Sequence, residues 1–249
     1  MPGPSRTERR YGLTHDSVIL HCPGPLRMRG GYFDIEWLAA CQLALSDDEL
    51  RGNCDGLDGI TVVTYCNRGE QTLLEHGLDF LGIRKFAVLR TAANSWNQRY
   101  KLTLLLEWLE GGRCNSEYLL CLDADDSLFV NDPRLILDRF RATQCEILFG
   151  ATMADAPPSP ECWAFENSVS EYTDPMHAHL NAGGFLGRTD FIKAAAREIL
   201  DACQADPAFC EGRKGFSDQL GWRHMHRRYY PRIKIDCGCR IFLRFDQFR

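Results

Sequence analysis

The hydrophobic run Tyr118 to Leu122 ends in Asp123-Ala124-Asp125-Asp126. Carboxylates gathered at the end of a buried strand repel one another and are costly to keep without a cation, which suits a hard divalent ion such as Mn²⁺ or Mg²⁺. Bridging two phosphate oxygens, that ion would neutralise charge on a departing nucleoside diphosphate. A solvated acidic turn after a strand has the same composition. Downstream, Asn181-Ala182-Gly183-Gly184-Phe185-Leu186-Gly187 pairs a side chain that both donates and accepts with two glycines that let a backbone approach a ligand closely. A tight strand-to-helix turn would want the same glycines. In Ser217-Asp218-Gln219-Leu220, Asp218 either caps a helix or faces a ligand.

These residues need a scaffold, and from Ile60 onward the pattern alternates strand and helix. Ile60 to Tyr65 reads as a strand buried on both faces, and a helix from about Glu70 to Leu81 and a strand from Lys85 to Leu89 follow. Asn97 to Glu110 carries Leu102, Leu105, Leu106 and Leu109 at helical spacing; Tyr118 to Leu122 and Cys145 to Phe149 are the next strands. This order predicts an α/β fold, a Rossmann-like, mostly parallel sheet flanked by helices, with its ligand site beyond the carboxyl ends of the strands. Residues 151 to 176 read as a loop over the sheet, and the Asn181 segment as a sharp turn into a helix from Asp190 to about Cys203. A second helix starts near Ser217, and Ile233 to Asp236 and Arg240 to Arg244 supply closing strands.

The chain of 249 residues divides into an extension, residues 1–57, and one domain, residues 58–249. The extension holds a polar tail to about residue 12, a short apolar run from Ser17 to Leu20, a Cys22-Pro23-Gly24-Pro25 breaker and a helical pattern from Phe33 to Leu45, before an Asp- and Gly-rich link from Gly52 to Gly59. A net charge of -5 argues against a nucleic-acid partner. With no apolar run of membrane-spanning length and no signal-like start, the expectation is a soluble cytoplasmic protein with no membrane partner. Of the twelve cysteines, Cys66, Cys121 and Cys145 fall in or beside predicted strands, where a thiol behaves as a small hydrophobe, and no CxxC pair has zinc spacing.

Four motifs in order, the Asp123 cluster, His179 to Gly187, Ser217 to Leu220 and Ile235-Asp236-Cys237-Gly238-Cys239-Arg240-Ile241-Phe242, resemble the glycosyltransferase domain of the procollagen lysyl hydroxylases. The likeness runs from about Ile60 to Phe242; residues 1–57 have no counterpart in it. It implies a GT-A fold with a small second sheet, a UDP-sugar donor and Mn²⁺, or Mg²⁺ in its place.

Carried onto this sequence, the resemblance implies that Asp123 and Asp126 bind the metal and that Asp125 serves the uridine or ribose. Thr64 and Tyr65, at the end of the first strand, and Lys101 fall near the nucleotide and donor. Gly183, Gly184 and Gln219 line the donor sugar, and Asn181 and Asp218 act on the sugar or acceptor. Lys101 also fits an exposed helix cation, and Trp96 fits either a base-stacking ring or a core residue. The family's His ligand aligns with Cys237, a soft thiolate better matched to Zn²⁺ than to Mn²⁺. Either Cys237 binds, or the ligand has moved to Asp236, His224 or His226, or the aspartates hold the metal alone.

The function expected is transfer of a hexose from a UDP-sugar to a hydroxyl acceptor, whose nature the sequence does not specify. The alternatives are a catalytically degenerate domain that binds a nucleotide sugar or a protein partner, and a nucleotidyltransferase, for which Thr64-Tyr65-Cys66-Asn67-Arg68-Gly69 is a poor phosphate loop.

Overall fold

The computed structural model describes residues 17–22, 48, 51–52, 57, 59–170 and 178–244. The expected tail to residue 12 and helix from Phe33 to Leu45 lie outside them, and the Gly52 to Gly59 link is described only in part.

The chain order is β1 (Ile19–His21), β2 (Ile60–Cys66), α1 (Leu73–Leu81), β3 (Phe86–Arg90), α2 (Arg99–Glu110), β4 (Tyr118–Leu122), β5 (Ser127–Phe129), α3 (Leu135–Ala142) and β6 (Ile147–Thr152). It continues with α4 (Pro160–Val169), β7 (His179–Arg188), α5 (Thr189–Ala205), a short hairpin of β8 (Glu211–Gly212) and β9 (Gly215–Phe216), α6 (Asp218–Tyr229), β10 (Ile233–Ile235) and β11 (Phe242–Arg244). Six strands form the main sheet in the order β10-β6-β7-β4-β2-β3, mostly parallel, with β7 running antiparallel to both β4 and β6.

Alternation along the strands divides the core in two. Val63, Cys121, Phe149 and Phe185 face a cluster with Leu102, Leu105 and Leu109 of α2, Ile192 and Ile199 of α5 and Trp222 of α6. Val62, Leu120, Leu148 and Leu186 point to the other side, where they meet Leu74 and Leu78 of α1 and Ile136 and Phe140 of α3. Both faces are thus covered, and the continuous apolar runs of β2 and β4 follow from that.

The second sheet has three strands in the order β11-β1-β5. Its middle strand lies within residues 1–57, the span with no counterpart in the resemblance. Ile19 pairs with Phe242 in parallel and with Phe129 in antiparallel register. Val18, Ile19, Leu20 and Cys22 are all fully buried.

Several sequence expectations need correction. The segment from Asn181 to Gly187 is not a turn into a helix; it is the interior of the ten-residue strand β7. Its glycines answer to crowding, since none of Gly183, Gly184 and Gly187 has a positive φ and a Cβ on each would press on a neighbour. Residues 151 to 176 are not loop throughout: β6 runs to Thr152 and Pro160–Val169 is helix, capped by the Ser159 hydroxyl on the amide of Cys162. Helix α3 and strand β5 were not foreseen. No helix among the described residues is long and apolar enough to cross a membrane.

Candidate functional site

Asp123 is the first residue after β4, and the backbone on either side of it is pinned. Its amide donates to Gly183 O at 2.9 Å, and the preceding carbonyl, Leu122 O, accepts from Thr64 Oγ1 at 2.8 Å. Thr64 is 1% exposed, and its hydroxyl ties β2 to the end of β4. Tyr65 is also buried, its phenol against the Cys121 thiol; burial and that thiol hold its pKa well above the ordinary tyrosine value.

Around Asp123 the fold gathers ionisable side chains from three distant parts of the chain, at residues 21, 101 and 218. Lys101, in the first turn of α2, places Nζ 2.5 Å from Asp123 Oδ1 and 3.8 Å from Asp218 Oδ2. Lys101 is therefore a buried member of this cluster and not an exposed helix cation. Burial disfavours its charge, but Asp123, Asp218 and Asp126 more than offset this and raise its pKa. Burial opposes the Asp123 charge as well, yet Lys101 and His21 hold that carboxyl well below the usual range.

Asp218 opens α6 without capping it: the cap is Ser217, whose hydroxyl accepts from the amide of Leu220. Freed from that task, the Asp218 side chain turns inward, where burial raises its pKa against the pull of Lys101. Next to it, Gln219 Oε1 accepts from Ala182 N at 3.1 Å and Asn181 Nδ2 at 3.3 Å, and its Nε2 donates to Ala156 O. Asn181 Oδ1 accepts from Gly183 N at 3.2 Å. Asn181, Gln219 and Gly183 are in this way one hydrogen-bonded unit beside the carboxylates.

His21 is the member of this cluster that the sequence does not single out. Its Nε2 lies 3.7 Å from Asp123 Oδ2 and 3.7 Å from Asp126 Oδ1, and the three ligand atoms of His21, Asp123 and Asp126 fall within 4.8 Å of one another. One imidazole nitrogen and two carboxylate oxygens make a set that can hold a divalent metal ion. The only sequence signal was an apolar run ending in a histidine, because the partners of β1 come from residues 127–129 and 242–244.

Other expected residues fall elsewhere. Asp125 pairs with Arg68 at the mouth of the site. Trp96 is half-buried, edge-on to Tyr100 with ring centroids 5.9 Å apart, and packs against the core rather than lying open for a base. Gly184 lies against Phe242. Cys237 is not with the carboxylates; it lines a small cavity with Glu166, Ala178 and His226. Asp236 is occupied too, accepting from the amides of Arg240 (3.0 Å), Ile241 (2.7 Å) and Phe242 (3.0 Å). His224 packs on Phe209 and His226 beside Phe165, and neither joins the cluster.

No protein-family model matches this chain, and no curated protein matches it in sequence.

Proposed function

We propose that the protein is a metal-dependent glycosyltransferase of GT-A type that transfers a hexose from a UDP-sugar to a hydroxyl acceptor. The observation that carries this reading is the convergence of Asp123, Asp126, Lys101, Asp218 and the Asn181–Gln219 pair at one edge of the sheet. Strands β4 and β6 end at that edge, where sheets of this kind bind ligands. The order of four motifs shared with the procollagen lysyl hydroxylase glycosyltransferase domain supports the same reading.

Asp123 and Asp126 would hold Mn²⁺ or Mg²⁺, which when bound supplies positive charge to a leaving diphosphate. The chain's own residues do the rest. Lys101, kept protonated by three carboxylates, adds a fixed cation beside the same charge. Asn181 and Gln219 orient each other and present a rigid polar wall to the sugar. Asp218, a buried carboxyl with a raised pKa next to Lys101, is suited to holding the acceptor hydroxyl and taking its proton. The Arg68–Asp125 pair at the rim would meet the nucleoside.

A thermal-shift screen of nucleotide sugars with and without Mn²⁺, followed by an assay for slow sugar release to water, tests this. A UDP-sugar should raise the unfolding temperature only with the metal present and should be hydrolysed. Failure of every nucleotide sugar to stabilise the protein would remove the reading, and stabilisation without hydrolysis would leave a binding domain.

A further inference from the structure

We infer that His21 is the third protein ligand of the divalent ion, so that strand β1 is part of the metal centre. The inference rests on the reading of Asp123 and Asp126 as metal carboxylates and adds to it a ligand from a part of the chain outside the family resemblance.

Burial makes the first observation. His21 is 5% exposed, and neither Nδ1 nor Nε2 has a hydrogen-bond partner among the described residues. A buried ring that satisfies neither nitrogen is expensive unless a ligand completes it. The second is distance. At 3.7 Å from each carboxylate oxygen, Nε2 is too far for a hydrogen bond and close enough to share an ion. Two ligand atoms each about 2.1 Å from a metal stand about 3.0 Å apart at a right angle and about 3.6 Å apart at about 120°.

The third is space. A Cβ at Gly183 would come 2.6 Å from His21 Nε2 and 3.0 Å from Asp123 Oδ2, so the glycine of β7 leaves the room in which ring and carboxylate face each other.

The seating of β1 explains how the ligand moved. The turn held by Asp236 offers Ile241 O to the amides of Val18 (3.1 Å) and Ile19 (2.8 Å), and Cys239 O accepts from Ser17 Oγ at 2.5 Å. On the other side, Cys22 N donates to Asp126 O at 2.7 Å. The motif in which Cys237 replaces the family's histidine is therefore the one that docks the strand carrying His21. An imidazole with two carboxylates favours Mn²⁺ over Mg²⁺ or Ca²⁺, which prefer all-oxygen sets.

The test is a Mn²⁺ titration of the full chain without nucleotide, read by the paramagnetic resonance of free Mn²⁺, with pulsed measurements of nitrogen coupling on the bound ion. Wild type should bind Mn²⁺ with directly coordinated imidazole nitrogen. His21→Asn, checked for native circular dichroism, should bind at least about tenfold more weakly and lose the nitrogen signal, with Mg²⁺ binding changed less. Cys237→Ser should bind as wild type. Bound Mn²⁺ without nitrogen coupling, or loss of binding in Cys237→Ser, overturns the role of His21 and leaves the carboxylate site standing. Absence of Mn²⁺ binding in wild type overturns both. The nitrogen signal needs no variant, so a misfolded His21→Asn leaves the question decidable.

Discussion

Two clusters of ionisable residues, each combining carboxylates, a basic side chain and a histidine, lie at opposite ends of the first half of β7. At its start, Arg223 (1% exposed) donates Nε and a terminal nitrogen to the two oxygens of Glu166, each at 2.8 Å, and Glu166 also meets His179 Nδ1 at 2.8 Å. Arg223 reaches Pro157 O and Asp155 besides, both at 2.7 Å. Burial works against the Glu166 charge, but His179 and Arg223 bring its pKa below the ordinary value, while burial pushes neighbouring His226 down to about 4 and keeps it neutral. Four residues along the strand, Asp123, Asp126 and Asp218 lie about the Lys101 ammonium, and buried His21 faces two of them with neither nitrogen hydrogen-bonded among the described residues. The first cluster satisfies its own members and holds helices α4 and α6 to the sheet; in the second, the His21 ring has no hydrogen-bond partner among the described residues. Composition does not separate structure from site, whereas satisfaction does.

Breaking the self-sufficient cluster should give the largest effect. Glu166→Gln removes a buried charge from its partners and should cost about 3 kcal/mol, a fall in unfolding temperature on the order of 6–12 °C. Calorimetry measures this, and Mn²⁺ binding by the folded fraction should not change. The same group sets an acid limb. Its folded pKa lies below its unfolded one, so its contribution is complete above the ordinary glutamate range and drains away as pH falls through the depressed value. Stability of the wild type should therefore fall more steeply on acidification than that of Glu166→Gln.

Gly183→Ala sharpens the comparison from the other side. The added methyl meets His21 and Asp123, which should cost about 1–3 kcal/mol and weaken Mn²⁺ binding together, a pairing that Glu166→Gln lacks. Thr64→Val should have the smallest effect, about 1 kcal/mol for the lost bond to Leu122 O. UDP affinity should be unaffected; a marked loss would return Thr64 to the nucleotide.

The main sheet was legible because its strands are apolar runs punctuated by amphipathic helices, and Tyr118–Leu122 and the helix ending at Glu110 fall where periodicity puts them. Strand β7 was misread because three glycines look like a turn, when each makes room for a bulky neighbour contributed by a distant segment. In the site, Asp123, Asp126, Lys101, Asn181, Asp218 and Gln219 were named from the sequence and do converge. Thr64 and Tyr65 were named for a ligand; both side chains are buried, and the Thr64 hydroxyl donates to Leu122 O. His21 was invisible because its meaning depends on a pairing between residues 19–21 and 242–244, more than two hundred positions apart. Cys237, named as a metal residue from the resemblance, lies apart from Asp123 and Asp126.

The most direct test of the central claim is calorimetric titration of UDP into the wild type and Asp123→Asn, in Mn²⁺ and in chelator. The account predicts binding by the wild type in Mn²⁺, weakened at least about tenfold by chelator or by the substitution. Equal UDP affinity in all four conditions, or none in any, would contradict it.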